Sequence, residues 1–271
     1  MRNIAKKSNT LDILNKYHLT AAKKYGQNFL VDPNIIEKIA FCAPITKDTY
    51  VIEIGPGIGA LTEALALRAK KVICFEIDER LKPVLADTLA DYDNVEIIFE
   101  DFMKADLDGL VTSLHSDDVC VVTNLPYYIT SDIITKVVTA QSPIHHMAAM
   151  VQKEVALKLT RDKSPLTLMI DYVGSIDYAM TVSKNVFIPA PHVDSAVFTI
   201  TKERTIPLDL CELIKGAFKQ KRKTILNNMK PFFNDVRKAL AACGIDPTKR
   251  PADLSIEDYV ALNQERRNHE S

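Results

Sequence analysis

Val51-Ile-Glu-Ile-Gly55-Pro-Gly57-Ile-Gly59 is the stretch that decides the fold. The Val-Ile-Glu-Ile run predicts a buried strand, and the glycines allow a tight turn that brings a ligand close to amides at a helix N-terminus. Glu76 follows Gly55 by 21 residues, at the end of the next apolar run. An acid at this point hydrogen-bonds a ribose diol. The glycines alone fit a simple tight turn equally well, but together with the acid they predict a nucleoside site.

On both sides of this stretch, short apolar runs alternate with segments of helical spacing. The runs are Tyr50–Ile54, Val72–Phe75, Val95–Phe99, Val119–Thr123 and Met147–Val151, and the helical segments are 32–43, Leu61–Ala69, Leu81–Leu89, Ser131–Val138 and Glu154–Leu159. This alternation predicts an α/β fold, a parallel sheet with helices on both faces. Met180–Val182 and Ser195–Ile200 predict an antiparallel hairpin that closes the sheet.

The charge of the chain divides into three parts. The 271 residues carry 34 Lys and Arg against 35 Asp and Glu, and a near-neutral chain is unlike most nucleic-acid-binding domains. The net charge is +5 over 1–26, −10 over 27–201 and +4 over 202–271. We predict a basic N-terminal arm (1–26), a sheet domain (27–203) and a helical domain (204–271) with helices at 208–219, 222–229, 235–243 and 255–267. If the two basic parts fold to one side, they form a positive surface on a chain that is almost neutral overall.

The remaining composition excludes several classes of protein. With 47% hydrophobic and 25% charged residues, the chain is not globally disordered. Its five cysteines form no C-x-x-C pair and its six histidines show no metal-ligand spacing, so we expect reduced thiols and no metal. No apolar run reaches membrane-spanning length, and the N-terminus does not resemble a signal peptide. We therefore expect a soluble, cytoplasmic protein.

The glycine turn differs from that of a dinucleotide site. The third glycine comes one position too early for G-x-G-x-x-G, and an acid, Glu53, precedes the turn. Carboxylates suit a cation such as S-adenosylmethionine, with its sulfonium and ammonium, better than a pyrophosphate. Asp101, after the third apolar run, could accept a hydrogen bond from an adenine amino group. The alternative is that Glu100 and Asp101 are solvated loop acids.

A second motif, Asn124-Leu-Pro-Tyr127, directly follows the fourth apolar run. At the carboxyl edge of a parallel sheet, an Asn amide oxygen and the carbonyl before a proline are two acceptors, and a tyrosine offers a stacking face. This set suits a flat base with an exocyclic amine. The alternative is an Asn-x-Pro turn with Tyr127 packed in the core.

The tetrapeptide resembles the (N/D)-P-P-Y-type signature of amino-directed S-adenosylmethionine methyltransferases. The wider set of motifs is similar to the bacterial ribosomal RNA small-subunit methyltransferase A family (KsgA/RsmA), from about residue 20 to 265. The segments that carry this resemblance are Gly26–Leu30, Val51–Gly59, Asn124–Thr130, Phe187–Ser195 and Ala217–Ile225. Asp162-Lys-Ser-Pro-Leu166 departs from the Ser-rich, Gly-containing loop that is common in bacterial members.

The resemblance implies a Rossmann-like methyltransferase sheet and a monomeric enzyme that uses S-adenosylmethionine. Its implied reaction is N6-dimethylation of two adjacent adenines in the 3′-terminal hairpin loop of 16S rRNA, in the immature 30S subunit. The implied donor-binding residues are Asn28, Leu30, Gly55, Gly57, Glu76, Ile77, Asp101, Phe102 and Asn124. The implied catalytic residues, at the target adenine, are Asn124, Leu125, Pro126, Tyr127 and Phe187.

Three alternatives on partner and function stay open. Related Erm methyltransferases, which act on 23S rRNA, share the first motifs but are not expected to carry the Val-Asp-Ser run or the basic segment. Some relatives act as assembly or transcription factors by binding rather than catalysis.

Residues 215–238 carry eight basic side chains and one acid. We predict that Lys219, Lys221, Arg222 and Lys223 contact phosphates, the alternative being a solvated helix face.

Overall fold

The computed structural model describes residues 2–20, 27–125 and 129–270. Its strands are β1 (Phe29–Leu30), β2 (Tyr50–Ile54), β3 (Lys71–Phe75), β4 (Val95–Ile98), β5 (Val119–Asn124), β6 (Ile144–Gln152), β7 (Gly174–Val182), β8 (Phe187–Ile188) and β9 (Ser195–Lys202). The N-terminal and sheet-associated helices are α1 (Lys7–Lys16), α2 (Pro33–Phe41), α3 (Ala60–Ala66), α4 (Lys82–Thr88), α5 (Leu107–Ser113), α6 (Thr130–Thr139), α7 (Lys153–Arg161) and α8 (Pro165–Val173). The C-terminal helices are α9 (Leu208–Ala217), α10 (Ile225–Asn228), α11 (Val236–Ala242) and α12 (Ile256–Glu270).

Seven strands form one sheet in the order β4-β3-β2-β5-β6-β9-β7. The first five are parallel, and β9 pairs antiparallel with both β6 and β7. The predicted parallel sheet and the closing hairpin are therefore confirmed. After β2 the chain adds β3 and β4 on one side and then returns to add β5 on the other. The strand order thus reverses between β2 and β5, which is where a ligand crevice forms in such sheets.

Both faces of the sheet are covered, as the doubly apolar strands require. Ile52 and Ile54 join an apolar cluster with α6, α8 and the C-terminal helices. Val51, which points to the other face, joins a cluster with α2 and α3. Helices α9 to α12 continue the first cluster without a break, so their apolar contacts with the sheet side are extensive. The proposed boundary at 203/204 stays a prediction.

Residues 2–20 are a packed element rather than an extended arm. Ile4 is 1% exposed and lies with partly buried side chains of α1 against α4. The carboxylate of Glu63, in α3, accepts the backbone N–H groups of Arg2, Asn3 and Ile4 at 2.6, 3.1 and 2.9 Å. It also accepts the hydroxyl of Tyr92 at 2.8 Å. The sequence did not predict α1, because its apolar side chains are few and widely spaced.

The basic charge of this segment is partly paired within the chain. Arg2 contacts Asp87 and Asp91, and Lys16 contacts Asp87, at 2.6–3.2 Å. These ion pairs place positive charge of residues 2–16 against the acidic sheet domain. The N-terminal segment therefore contributes less free positive charge than its sequence indicates.

Helix α8 is absent from the sequence prediction, and its start explains the unusual 162–166 loop. Ser164 Oγ accepts the N–H of Thr167 at 3.2 Å, and Thr167 Oγ1 accepts the N–H of Ser164 at 2.8 Å. Pro165 occupies the first helical position. This reciprocal cap is a strong helix start. The Ser-Pro-x-Thr spacing was the signal that could have revealed it. Helix α5 was also not predicted.

No helix within the three described ranges combines the length and the apolar character that crossing a bilayer requires.

Candidate active site

A cavity opens at the carboxyl ends of β2, β3 and β5, beside the point where the strand order reverses. All nine residues that we predict to bind the methyl donor line this cavity. They are Asn28, Leu30, Gly55, Gly57, Glu76, Ile77, Asp101, Phe102 and Asn124. The fold therefore brings together residues from five separate stretches of sequence, and their role in donor binding stays a prediction.

The glycine turn and Glu76 form one hydrogen-bonded unit on the wall of the cavity. Gly57 and Gly59 both have positive φ, and a Cβ on Gly59 would lie 3.0 Å from the Leu89 side chain. The N–H of Gly57 donates to Glu76 Oε2 at 3.3 Å, and the N–H of Asp78 donates to Glu76 Oε1 at 2.8 Å. Glu76 is 4% exposed, and burial raises its pKa. These two amides orient the carboxylate, as a carboxylate that receives a ribose diol requires.

Glu53, the acid before the turn, is a buried carboxyl group of the cavity wall. It is 1% exposed, and the thiol of Cys74 donates to its Oε2 at 3.5 Å. Burial, with a smaller contribution from the charge of Glu76, raises the pKa of Glu53 to about 7. A cation in the cavity would favour the carboxylate form, because opposite charges nearby stabilise ionisation.

The loop after β4 presents two acids and one aromatic ring to the cavity. Asp101 is half-buried and its Oδ1 accepts the N–H of Met103 at 2.9 Å. Phe102 is 4% exposed and meets the Phe75 ring edge-on, with centroids 5.3 Å apart. Glu100 is exposed, although it also borders the cavity. The acid with an ordered loop contact is therefore Asp101.

The end of β5 carries the predicted acceptor groups for the target amine. Thr123 Oγ1 donates to the carbonyl of Ile54 at 2.6 Å, which ties the end of β5 to the end of β2. The N–H of Leu125 donates to the carbonyl of Met150 at 3.0 Å. Asn124 is half-buried and Leu125 is 1% exposed, and both line the cavity. Two anchored neighbours thus hold Asn124 in the wall of the cavity.

Of the two aromatic side chains predicted to hold the base, the structure describes only Phe187. Pro126 and Tyr127 lie outside the described residues, so stacking on Tyr127 stays a prediction. Phe187 is 4% exposed, packs in the apolar cluster of α2 and α3, and does not itself line the cavity. Its backbone pairs with Leu30, which does line it, in the β1–β8 ribbon. Contact between Phe187 and a base also stays a prediction.

The four residues that we predict to contact phosphates lie in an exposed turn rather than on a helix face. This basic turn carries the exposed side chains of Lys219, Lys221, Arg222 and Lys223. The predicted helices 208–219 and 222–229 are shorter, because residues 218–223 form a 3-10 segment and a turn. The buried Asn228 amide donates to the carbonyls of Gln220, Lys223 and Thr224 at 3.2–3.3 Å.

The sequence reasoning missed an ion-pair network that positions Gln27 on the cavity wall. Asp78 is 2% exposed, and it accepts from Gln27 Nε2 at 2.9 Å and from both Arg80 Nε and Nη2 at 2.8 and 2.6 Å. The Arg80 guanidinium lowers the pKa of Asp78. An acid two residues after Glu76 was the available signal.

Within residues 2–20, 27–125 and 129–270, no group of three or more His, Cys, Asp or Glu side chains is arranged to hold a metal ion. That the reaction uses no metal stays a prediction.

Comparison with known proteins identifies the family of this chain. The model of the family described as "Ribosomal RNA adenine dimethylase" matches residues 18–267. The chain belongs to this family. The chain is also similar to "Ribosomal RNA small subunit methyltransferase A" of Geobacillus thermodenitrificans. The two proteins are 44% identical over 97% of this chain and 96% of that protein. The protein of the same name from Anoxybacillus flavithermus is 43% identical over the same shares.

Two solved structures are similar to this protein along most of the chain. A dimethyladenosine transferase from Plasmodium falciparum has a TM-score of 0.74 and 25% identity, covering 88% of this chain and 97% of its own. The 23S rRNA methyltransferase ErmE has a TM-score of 0.67 and 27% identity, covering 89% of this chain and 100% of its own. These likenesses confirm the Rossmann-like methyltransferase sheet and the family resemblance seen in the sequence.

Proposed function

We propose that the protein transfers methyl groups from S-adenosylmethionine to N6 of two adjacent adenines in the 3′-terminal hairpin loop of 16S rRNA. The observation that carries the proposal is the single cavity lined by all nine predicted donor residues, with Asn124 and Leu125 at its edge. Relatives at 43–44% identity along nearly the whole chain bear the name of the small-subunit enzyme. We further propose that it acts as a cytoplasmic monomer on the immature 30S subunit.

The residues of the cavity fit the methyl donor. Glu76 offers an oriented carboxylate to a ribose diol, and Asp101 offers an acceptor to the adenine amino group. Ile77 and Phe102 supply apolar surface for a flat ring. The buried Glu53 suits the positive charge of the donor, because an ionised carboxylate in a low-dielectric wall is stabilised by a nearby cation. S-adenosylmethionine supplies an electrophilic methyl group on a sulfonium.

The target amine needs activation because its lone pair is delocalised into the adenine ring. Asn124 Oδ1 and the Leu125 carbonyl can accept its two N–H bonds, which biases nitrogen toward a tetrahedral shape and localises the lone pair. The same oxygens stabilise the positive charge that develops on nitrogen. Holding both reactants in line contributes the effective molarity of positioning, worth roughly 7–11 kcal/mol in model reactions. No general base is required before methyl transfer.

The RNA itself is predicted to meet the basic turn. Four exposed cations within five residues supply sequence-independent contacts to phosphates, which position the RNA but carry no base specificity. An unpaired loop adenine reaches the cavity at the cost of unstacking, and stacking on an aromatic ring returns about 1–3 kcal/mol per base.

Methyl transfer into ribosomal particles tests the proposal. Purified protein with labelled S-adenosylmethionine is offered small subunits that lack the modification, small subunits that carry it, and naked 23S rRNA. Mass spectrometry of nucleosides should find N6,N6-dimethyladenosine only in the unmodified small subunit. Methylation of 23S rRNA would favour the Erm-like activity instead. Absence of transfer to every acceptor would favour an assembly factor that acts by binding.

The Asn124→Ala variant tests the role of the acceptor site. We expect kcat to fall at least about a hundredfold, by analogy with loss of one charge-stabilising group in other enzymes. Donor affinity should change little, because most of the donor contacts remain. Asn15→Ala removes an exposed Asn of α1 and is the matched control. Full activity of Asn124→Ala would remove this residue from the mechanism.

A further inference from the structure

We propose that Lys136 is a positioning residue for the donor site, fixing the shape of the loop that carries Asp101 and Phe102. The inference rests on the proposed function, since it assigns to that loop the adenosine end of the methyl donor. Lys136 lies in α6, the helix that directly follows the Asn124–Thr130 motif.

The ammonium group of Lys136 has three partners, all in this loop. Its Nζ donates to the carbonyls of Phe102, Met103 and Ala105 at 2.6, 3.1 and 2.6 Å. An ammonium carries three N–H donors and no acceptor, so three carbonyls use its capacity fully. The same Nζ lies 4.9 Å from the centroid of the Phe102 ring, within the range of a cation–π contact. One side chain therefore holds both the backbone of the loop and its aromatic ring.

The charges around Lys136 agree with a structural use of its ammonium group. The acids that face it are Glu100, Asp101, Asp106 and Asp108. Their negative charge favours the ammonium, whereas burial lowers the pKa of Lys136. The Nζ of Lys136 donates to carbonyls rather than to carboxylates, so the carboxyl group of Asp101 is not consumed by an ion pair with Lys136.

Convergence of the three carbonyls on one point distinguishes Lys from Arg at this position. A guanidinium presents its N–H groups in a planar fork and cannot direct three of them at one site. The loop itself has few alternative supports, which are the bonds from Met103, Lys104 and Ala105 N–H back to Asp101. Without Lys136 the loop would keep these local bonds and the contact of the Phe102 ring with Phe75, but no hydrogen bond to α6 from this side chain.

Donor binding and steady-state kinetics of three variants test the inference. Lys136→Met keeps the apolar stem and removes the donors, and Lys136→Arg keeps the charge. Lys104→Met removes the same charge from an exposed site on the same loop and is the matched control. We expect Lys136→Met to weaken S-adenosylhomocysteine binding and to raise the donor KM by about tenfold, with the RNA KM unchanged. Lys136→Arg should also lose affinity, while Lys104→Met should stay within about twofold of wild type.

Amide hydrogen exchange supplies a readout that does not depend on activity. In Lys136→Met we expect faster exchange across residues 101–106 and unchanged exchange in β2, β3 and β5. Wild-type donor affinity in Lys136→Met, or an equal loss in Lys104→Met, would overturn the inference. Faster exchange throughout the sheet in both Lys136 variants would also overturn it, since Lys136 would then support the whole domain. A wild-type protein that binds no S-adenosylhomocysteine would instead overturn the proposed function, and the exchange pattern would still test the loop.

Discussion

Replacing Glu53 by Gln should change how the free energy of unfolding depends on pH. Glu53 is buried beneath the glycine turn, and its pKa rises from the ordinary 4.5 to about 7. The folded protein therefore binds a proton at this site more tightly than the unfolded chain does. This contribution to stability is fully present below about pH 4.5 and is lost as the pH rises through about 7. Gln keeps the shape of the protonated acid and cannot ionise.

The expected size follows from the shift. A difference of about 2.5 pKa units at 1.36 kcal/mol per unit gives about 3 kcal/mol. The stability of Glu53→Gln relative to wild type should therefore increase by about 3 kcal/mol between about pH 4.5 and about pH 8. Other titrating groups cancel in this difference, provided that they do not respond to Glu53. Glu76 and Cys74 are the neighbours that could respond, because both lie beside it.

Urea unfolding of the two proteins at several pH values measures this difference. Glu79→Gln, which removes an exposed carboxyl from the short 3-10 turn after β3, is the control. Its difference from wild type should not show the same rise. If Glu53→Gln and wild type gave parallel curves over this range, Glu53 would be ionised in the folded protein and the reasoning from its burial would be wrong.

Two further predictions concern the N-terminal segment and the basic turn. Glu63→Gln should cost about 2 kcal/mol of unfolding free energy, because the carboxylate accepts three backbone N–H groups of residues 2–4, and urea unfolding measures this loss. Neutralising Lys221, Arg222 and Lys223 together should lower the slope of log K against log salt for RNA binding by about 2, since each contact to a single strand contributes about 0.7.

Both predictions have controls in the chain. Glu96→Gln removes an exposed partner of a surface ion pair and should cost far less than Glu63→Gln. An equal cost would mean that the N-terminal hydrogen bonds add nothing. For the basic turn, neutralising Lys38, Lys47 and Lys70, which are exposed and lie outside both basic segments, should leave the salt slope nearly unchanged. An unchanged slope after neutralising the turn would place the RNA elsewhere.

The grouping of the predicted donor residues at one edge of the sheet could be predicted, because it depends on short local patterns of sequence. Gly57 needs a positive φ, and Glu76 must follow at the end of the next strand, so spacing alone brings them together at one edge. The parallel pairing of the central strands, though not their order, follows from the alternation of strands and helices. These features depend on short stretches of sequence and on the handedness of parallel connections.

The missed features depend on contacts between distant segments. Lys136 looks like a solvated helix residue, because nothing in its own stretch indicates that three carbonyls from residues 102–105 converge on it. Helix α1 is held by Glu63, some 60 residues away, rather than by its own periodicity. Phe187 shows the converse, since its motif predicted a base contact while the fold buries its ring in an apolar cluster.

The β1–β8 ribbon offers a path by which the binding of one substrate could change the affinity for the other. Leu30 lines the donor cavity, and it is hydrogen-bonded in register with Phe187, the residue predicted on the acceptor side. A base that shifts the backbone of Phe187 would therefore also shift the strand that bears Leu30. Thermodynamic linkage makes such coupling reciprocal, so RNA should alter the affinity for the donor by the same factor by which the donor alters the affinity for RNA. Measuring the two dissociation constants, each with and without the other ligand, would show whether the binding of RNA and the binding of the donor are coupled through these two residues.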